Sequence, residues 1–230
     1  LHSTSRRQRQ MCIRDRGWLG LGMRLGELCM DEDFYPAIFA QLAALAQTMY
    51  EKNDAAADAI DLGGGFGVSY RPGFSGPEPD ACAKAILTQI QALPEALRGL
   101  SLQMSPGRFL AAACGTLVTR VRAVKPGPAP LAVLDVDPVQ CPRLVKSGAY
   151  HPVYVPYAAG RRTLVQLLTV GTQDGPVMRR LLPELRPGDL VLIGMLGADG
   201  RSLASRYGGA EPCLEHLIRP DGEIVPITAY

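Results

Sequence analysis

The chain has 230 residues, 47% of them hydrophobic and 20% charged, enough apolar material for one large core or two small ones and unlike a disordered or collagen-like polymer. No run of about 18 apolar residues occurs, so no helix is expected to span a membrane. The formal charge of +2 does not mark a nucleic-acid-binding protein, because residues 1–16 hold five arginines against one aspartate and leave −2 on the other 214.

That tail, LHSTSRRQRQMCIRDR, has neither an apolar period nor the hydrophobic segment of a signal peptide. It reads as a basic arm for nucleic acid or anionic lipid, as a solvated leader, or as a non-native join, since Met11 to Arg16 resembles the translation of a transposon-end sequencing adapter. We favour the last reading and begin the fold at residue 17.

From Phe34 to Tyr50, the residues Phe34, Ile38, Leu42, Leu45 and Met49 recur on one helical face, with Asp33 placed to cap the helix and Pro36 tolerable in its first turn. Ala59 to Leu62 predicts a short strand that stops at the glycine loop Gly63-Gly64-Gly65-Phe66-Gly67. After a Pro/Gly-rich loop, Cys82, Ile86, Ile90, Leu93 and Leu97 predict a second helix. Leu100 to Met104 then predicts a strand ending at Ser105-Pro106-Gly107-Arg108. Strand, helix and strand with short connections form a βαβ unit, as in a parallel sheet or barrel.

Beyond about residue 113 the pattern changes. The segments 116–125, 131–136, 163–170, 190–196 and 213–218 are rich in Val, Leu and Thr. Turn signals such as Pro126-Gly127-Pro128, Pro187-Gly188-Asp189 and Asp221-Gly222 punctuate them. This predicts an antiparallel sheet or barrel. The expected organisation is therefore a leader (1–16), an α/β part (17–112) and a β domain (113–230).

The six cysteines are scattered without CxxC or metal-ligand spacing, and read as reduced, mostly buried thiols of a cytosolic protein. His2, His151 and His216 are too scattered for a zinc site or a catalytic triad, and His151 reads as a surface or interface residue. The four lysines, Lys52, Lys84, Lys125 and Lys146, matter because Schiff-base chemistry needs one in a defined place. None falls on a strand facing the glycine loops. The loop itself is compatible with a phosphate cradle, since glycines let backbone N–H groups approach an anion, but it fits neither GxGxxG nor Walker A and reads equally as a structural turn. A second strand ending at Gly107-Arg108 strengthens the phosphate reading, because consecutive barrel strands share such a site at their carboxyl ends.

In order along the chain, IDLGGGFG, SPGR, GTLVTRV, SGAYHPV, PELRPGDLVLIGMLGADG and SRYGG resemble the fold type III decarboxylases that use pyridoxal 5'-phosphate (PLP). The wording is nearest to diaminopimelate decarboxylases, with ornithine and arginine decarboxylases behind. The resemblance implies the C-terminal portion of an alanine-racemase-like (β/α)8 barrel followed by an antiparallel β domain. It covers only the second half of that family, so the lysine that holds PLP is expected upstream of this stretch.

By the same resemblance Gly63, Gly64, Gly65, Gly67, Gly107 and Arg108 match the cofactor-phosphate motifs, and Asp174 the carboxylate for the substrate's distal amine. Catalytic positions are replaced. Ser105 stands for a glutamate, Arg24 for the histidine that stacks on the ring, Gln173 for a proton-donating cysteine and Asp199 for a tyrosine. A guanidinium can stack but cannot shuttle protons near neutral pH, and a primary amide is no acid. Asp199 and the Asp174-Gly175 pair also read as plain turn residues. The expected function is thus a decarboxylase-family chain that is inactive as given. The alternative is a non-catalytic pseudoenzyme acting as a binding partner. The family implies a cytoplasmic homodimer acting on a small amino acid, with no nucleic acid, membrane or metal involved.

Overall fold

The computed structural model describes residues 20–24, 26–146, 149–171 and 175–227. They form two compact units, one running through Val68 and resuming at Ser75–Phe109, the other made of Ser69–Phe74 and the chain from Leu110 onward. The sequence boundary at 112/113 lies three residues beyond the structural one.

In the first unit, β1 (Gly20–Gly22), β2 (Ala59–Asp61) and β3 (Ser101–Gln103) form a parallel sheet in that order, Gly20 opposite Ala59 and Ala59 opposite Ser101. Right-handed βαβ crossovers require a helix between parallel strands, and α1 (Phe34–Asn53) and α2 (Pro79–Gln91) supply them. β1 was not foreseen, because Gly-Leu-Gly is too short and too poor in side chains to show a strand period.

α1 buries Tyr35, Ile38, Phe39, Leu42, Ala43 and Ala46. This corrects the expected stripe: Leu45 is exposed, and Ala43 and Ala46, which a search for large apolar residues passes over, face the core. Asp33 occupies the position before the helix without a side-chain cap, another correction; only its carbonyl takes part, accepting from Ala37 N–H. α2 ends at Gln91 and not at Leu97, since Pro94 disfavours helix at the residue before it; Leu97 is buried by a separate turn, Glu95–Leu97. Ile60 and Leu62 of the β2 segment join Phe39, Ile86 and Leu97 in the core, whereas all of β3 is exposed.

The second unit holds a six-stranded sheet ordered β6-β9-β4-β5-β7-β8, formed by β4 (Leu117–Lys125), β5 (Leu131–Leu134), β6 (Val153–Tyr154), β7 (Thr163–Thr169), β8 (Met178–Leu182) and β9 (Leu190–Ile193). A separate hairpin joins β10 (Glu215–Ile218) to β11 (Ile224–Ile227). The large sheet is mixed and not wholly antiparallel, because β5 pairs with β7 in parallel. β8 escaped sequence reading because two arginines occupy its middle, yet it keeps the period of two: Met178 and Leu182 are buried while Arg179 and Leu181 are exposed. Val121, Leu134, Val165, Leu167, Val191 and Ile193 make the core.

Burial predicts a sharp contrast. Ile60 is fully buried and Leu102, its neighbour on β3, is 38% exposed. Ile60→Ala is expected to cost about 2–5 kcal/mol and Leu102→Ala under about 1 kcal/mol, read as the shift in urea midpoint.

Candidate functional site

The carboxyl ends of β1, β2 and β3 bring together Met23-Arg24, the glycine loop and Ser105. Glycine is needed where these loops touch. A Cβ on Gly63 (φ +70°) would run into the Met23 carbonyl, one on Gly65 (φ +93°) would lie 2.7 Å from Gly26 O, and one on Gly64 2.8 Å from Ser105 O. Gly67 is buried against the Cys29 carbonyl, whereas open space faces Gly107.

The carbonyls of the first three loop glycines are held by protein. Ser105 N–H donates to Gly63 O at 2.9 Å, the Tyr35 hydroxyl to Gly64 O at 3.0 Å and Cys29 N–H to Gly65 O at 2.9 Å. The Gly63 N–H turns back onto Asp61 Oδ1 at 2.8 Å. Among the described residues, the N–H groups of half-buried Gly64 and Gly65 have no hydrogen-bond partner, which leaves two adjacent donors suited to an anion. Tyr35 is fully buried and leans on Phe66, which packs edge-on against Phe109; burial pushes its phenol up to about 12, so it stays a donor.

Arg108, on the short α3 (Gly107–Ala111), pairs with the carboxylate of Glu27 from the loop after β1. A Cβ on Gly65 would lie 3.5 Å from Glu27 Cα, so this ion pair borders the cradle. Sequence reasoning passed over Asp61, Tyr35 and Glu27. Only Asp61, two residues before the loop glycine it binds, carried a local signal.

The remaining predicted residues are dispersed. Arg24 is exposed and borders Gly63 through its backbone. Gln173 and Asp174 lie outside the described residues. Asp199 sits in the second unit at φ 61°, in a turn, with Oδ2 3.5 Å from Arg143 Nη1. Lys52, Lys84 and Lys125 are exposed, and of Lys146 only the backbone is described.

The cysteine expectation needs amending: Cys82 and Cys141 are buried, but Cys29 and Cys213 are half-buried and Cys114 is exposed. Burial pushes the Cys141 thiol up to about 11 and raises Cys82 and Cys213, which makes all three poor nucleophiles. Among the described residues no group of His, Cys, Asp and Glu is placed to hold a metal, and no helix is long and apolar enough to cross a membrane.

Comparisons with known proteins decide the family. Residues 17–112 match the model described as "Pyridoxal-dependent decarboxylase, pyridoxal binding domain". Over 167 residues the chain is 32% identical to the diaminopimelate decarboxylase of Archaeoglobus fulgidus, covering 70% of this chain and 40% of that protein. The chain belongs to the PLP-dependent decarboxylase family. It is similar in fold to a diaminopimelate decarboxylase from M. jannaschii in complex with L-lysine (TM-score 0.85, 19% identity, 97% of this chain, 52% of that one). A Helicobacter pylori diaminopimelate decarboxylase complexed with L-lysine is similar too (TM-score 0.78, 24% identity, 90% of this chain, 50% of that one). The fold is thus the C-terminal portion of the family's barrel followed by its β domain. The chain spans about half the length of the proteins it matches, or less.

The family's cofactor is PLP. The cradle fits its phosphate, since two unpaired N–H groups and an adjacent guanidinium complement a dianion. The exposed Ser105 hydroxyl, by contrast, offers no carboxylate for a pyridine nitrogen.

His151, expected at a surface or interface, is instead completely buried. Its Nδ1 donates to Gly194 O at 3.1 Å, which fixes the proton there, and its Nε2 has no partner. Tyr70 packs edge-on against the ring and accepts a hydrogen bond from Arg143 at 3.1 Å. Arg180 donates to the His151 carbonyl and covers the Tyr150 ring, which Arg71 also approaches, while Asp199 pairs with Arg143. Burial foremost, then Arg143 and Arg180, hold the imidazole pKa below its ordinary value, against the Gly194 bond. The unfolded chain therefore binds more protons. The stabilisation is complete above about pH 6.5 and is lost as pH falls toward the folded pKa, by at most about 1.4 kcal/mol per pH unit. Urea midpoints measured between pH 7.5 and 5 should fall for the wild type and fall less for His151→Phe.

Proposed function

We propose that this chain supplies the phosphate-anchoring loops and the β domain of a PLP-dependent amino-acid decarboxylase of the diaminopimelate type, and that it does not turn over as the polypeptide given. The observation that carries the reading is the glycine loop, in which the Gly63, Gly64 and Gly65 carbonyls are tied to protein while the Gly64 and Gly65 N–H groups have no partner among the described residues. Residues 17–112 then act as the cofactor-binding part and 113–230 as the β domain.

When bound, PLP supplies the electron sink for loss of carbon dioxide. The residues of this chain do the rest of what can be done here. Gly64 and Gly65 N–H groups hold the phosphate, and Arg108 adds charge beside them. Ser105 leaves the ring nitrogen without an ionic partner. Arg24 can cover an aromatic face but delivers no proton at neutral pH. Gln173 replaces a proton donor with an amide, and Asp174 keeps a carboxylate suited to a substrate amine. Anchoring is retained while proton delivery is lost.

The intact protein is proposed to be a cytoplasmic homodimer acting on a small amino acid, without nucleic acid, membrane or metal. A second reading, a decarboxylase-like pseudoenzyme that binds a partner, is favoured by Asp199: its carboxylate is held in a turn by Arg143, where a working relative would offer a phenol.

Titration of the full chain with PLP, followed by borohydride reduction, tests the proposal. Reversible binding that free phosphate displaces and Gly65→Ala weakens at least about tenfold is expected, with no lysine adduct and no release of carbon dioxide from diaminopimelate. The tenfold loss corresponds to about 1.4 kcal/mol, the scale of one charge-assisted hydrogen bond. A lysine adduct or carbon dioxide release would overturn the claim of inactivity.

A further inference from the structure

Arg108, on the short helix that follows β3, has only a fifth of its side chain exposed, and its guanidinium is already in contact with a carboxylate, that of Glu27. Glu27 comes from the loop after β1, one strand away from the cradle, and its backbone runs past Gly65. Its side chain is 65% exposed, so burial does not hold the carboxylate in place, and the Arg108 guanidinium is one of its partners. A phosphate seated on Gly64 and Gly65 would lie beside the loop that carries Glu27 and, through Glu27, its partner Arg108.

We infer that Glu27 is an internal competitor for the phosphate site: it occupies Arg108 in the free protein and must be displaced before Arg108 can serve a bound anion. This rests on the phosphate-cradle reading and goes beyond it by naming the residue that sets the affinity of the cradle. Two effects act in the same direction. The ion pair must be broken, at modest cost for so exposed a carboxylate, and the freed carboxylate then repels the incoming dianion across a few ångströms of half-solvated space. Position 27 thereby tunes the site without touching the reacting atoms.

The test uses the full chain, with inorganic phosphate and PLP as probes, titrated calorimetrically and by the change in pyridoxal absorbance. Pyridoxal without phosphate serves as the control. Glu27→Gln is expected to bind both phosphate-bearing probes about tenfold more tightly than the wild type and to leave pyridoxal unchanged. Glu27→Ser, which also removes the reach of the side chain, should do the same. Combining Glu27→Gln with Arg108→Gln should abolish the gain, because the competition is for that guanidinium. Equal affinity of wild type and Glu27→Gln, with binding clearly measured in both, would overturn the inference and leave the cradle standing. A gain that survives in the double variant would also overturn it, showing a charge effect that does not run through Arg108. Absence of binding in every variant would remove the cradle itself, and the inference with it.

Discussion

The first unit depends on one constraint: three parallel strands end together, so three loops must pass within van der Waals reach of one another. Side chains cannot be accommodated there, and the sequence answers with glycine. Removing the Cβ exposes backbone, and exposed backbone must find hydrogen-bond partners. Ser105, Tyr35 and Cys29 satisfy the three carbonyls, and Asp61 takes the first N–H. With one polar edge of the loop engaged, the Gly64 and Gly65 N–H groups are left on the other. The proposed anion site is therefore a consequence of close packing and not a separate invention. Tyr35 is its main support, for it is buried, stacked on Phe66, and donates to the loop from the first turn of α1.

Much of this was legible in the sequence, for identifiable reasons. α1, α2, β2 and the long strands of the second unit announce themselves by period, because each buries one face against a core. What was not legible rests on long-range geometry. Gly-Leu-Gly has no period, so β1 exists only because β2 offers it a partner. Ala43 and Ala46 are small, and only the packed helix shows that they lie on the buried side. The Glu27–Arg108 pair links residues 81 apart in sequence, and no local spacing anticipates it. The glycine loop was visible, but whether it was a turn or a cradle depended on where its carbonyls went.

The second unit shows the same logic with polar groups. Tyr70 lies in a loop that belongs structurally with residues 110 onward, and it sits among His151, Arg143 and the Asp199 turn. His151 has one ring nitrogen satisfied and one not, an arrangement that costs about 1–3 kcal/mol relative to full satisfaction. Its backbone carbonyl recovers some of that by accepting twice from Arg180. The local sequence, Tyr150-His151-Pro152, gave no hint of burial, since the burying groups come from residues 70, 143, 180 and 194.

These two observations bear on how family motifs should be weighed in a diverged chain. Gly63, Gly65 and Gly67 are fixed by sterics: each would drive a Cβ into a neighbouring carbonyl, so each would persist whether or not a cofactor is bound. Gly64 is under the same pressure from Ser105. Retention of the motif is therefore weak evidence of chemistry. Arg108 is different, because what engages it is an ion pair with Glu27 and not a close backbone approach. The more informative positions are the side chains on the loops around the glycines, namely Arg24, Glu27, Ser105 and Arg108. The first three are exposed, so substitution at them costs the fold little, whereas Arg108 is mostly buried and paired with Glu27. A chain under selection for its fold alone would keep the glycines and let the exposed positions drift, and two of them, Arg24 and Ser105, depart from what the family resemblance implies for turnover. Arg108 remains, and on the proposed reading it keeps a guanidinium for an anion, with Glu27 as its competitor.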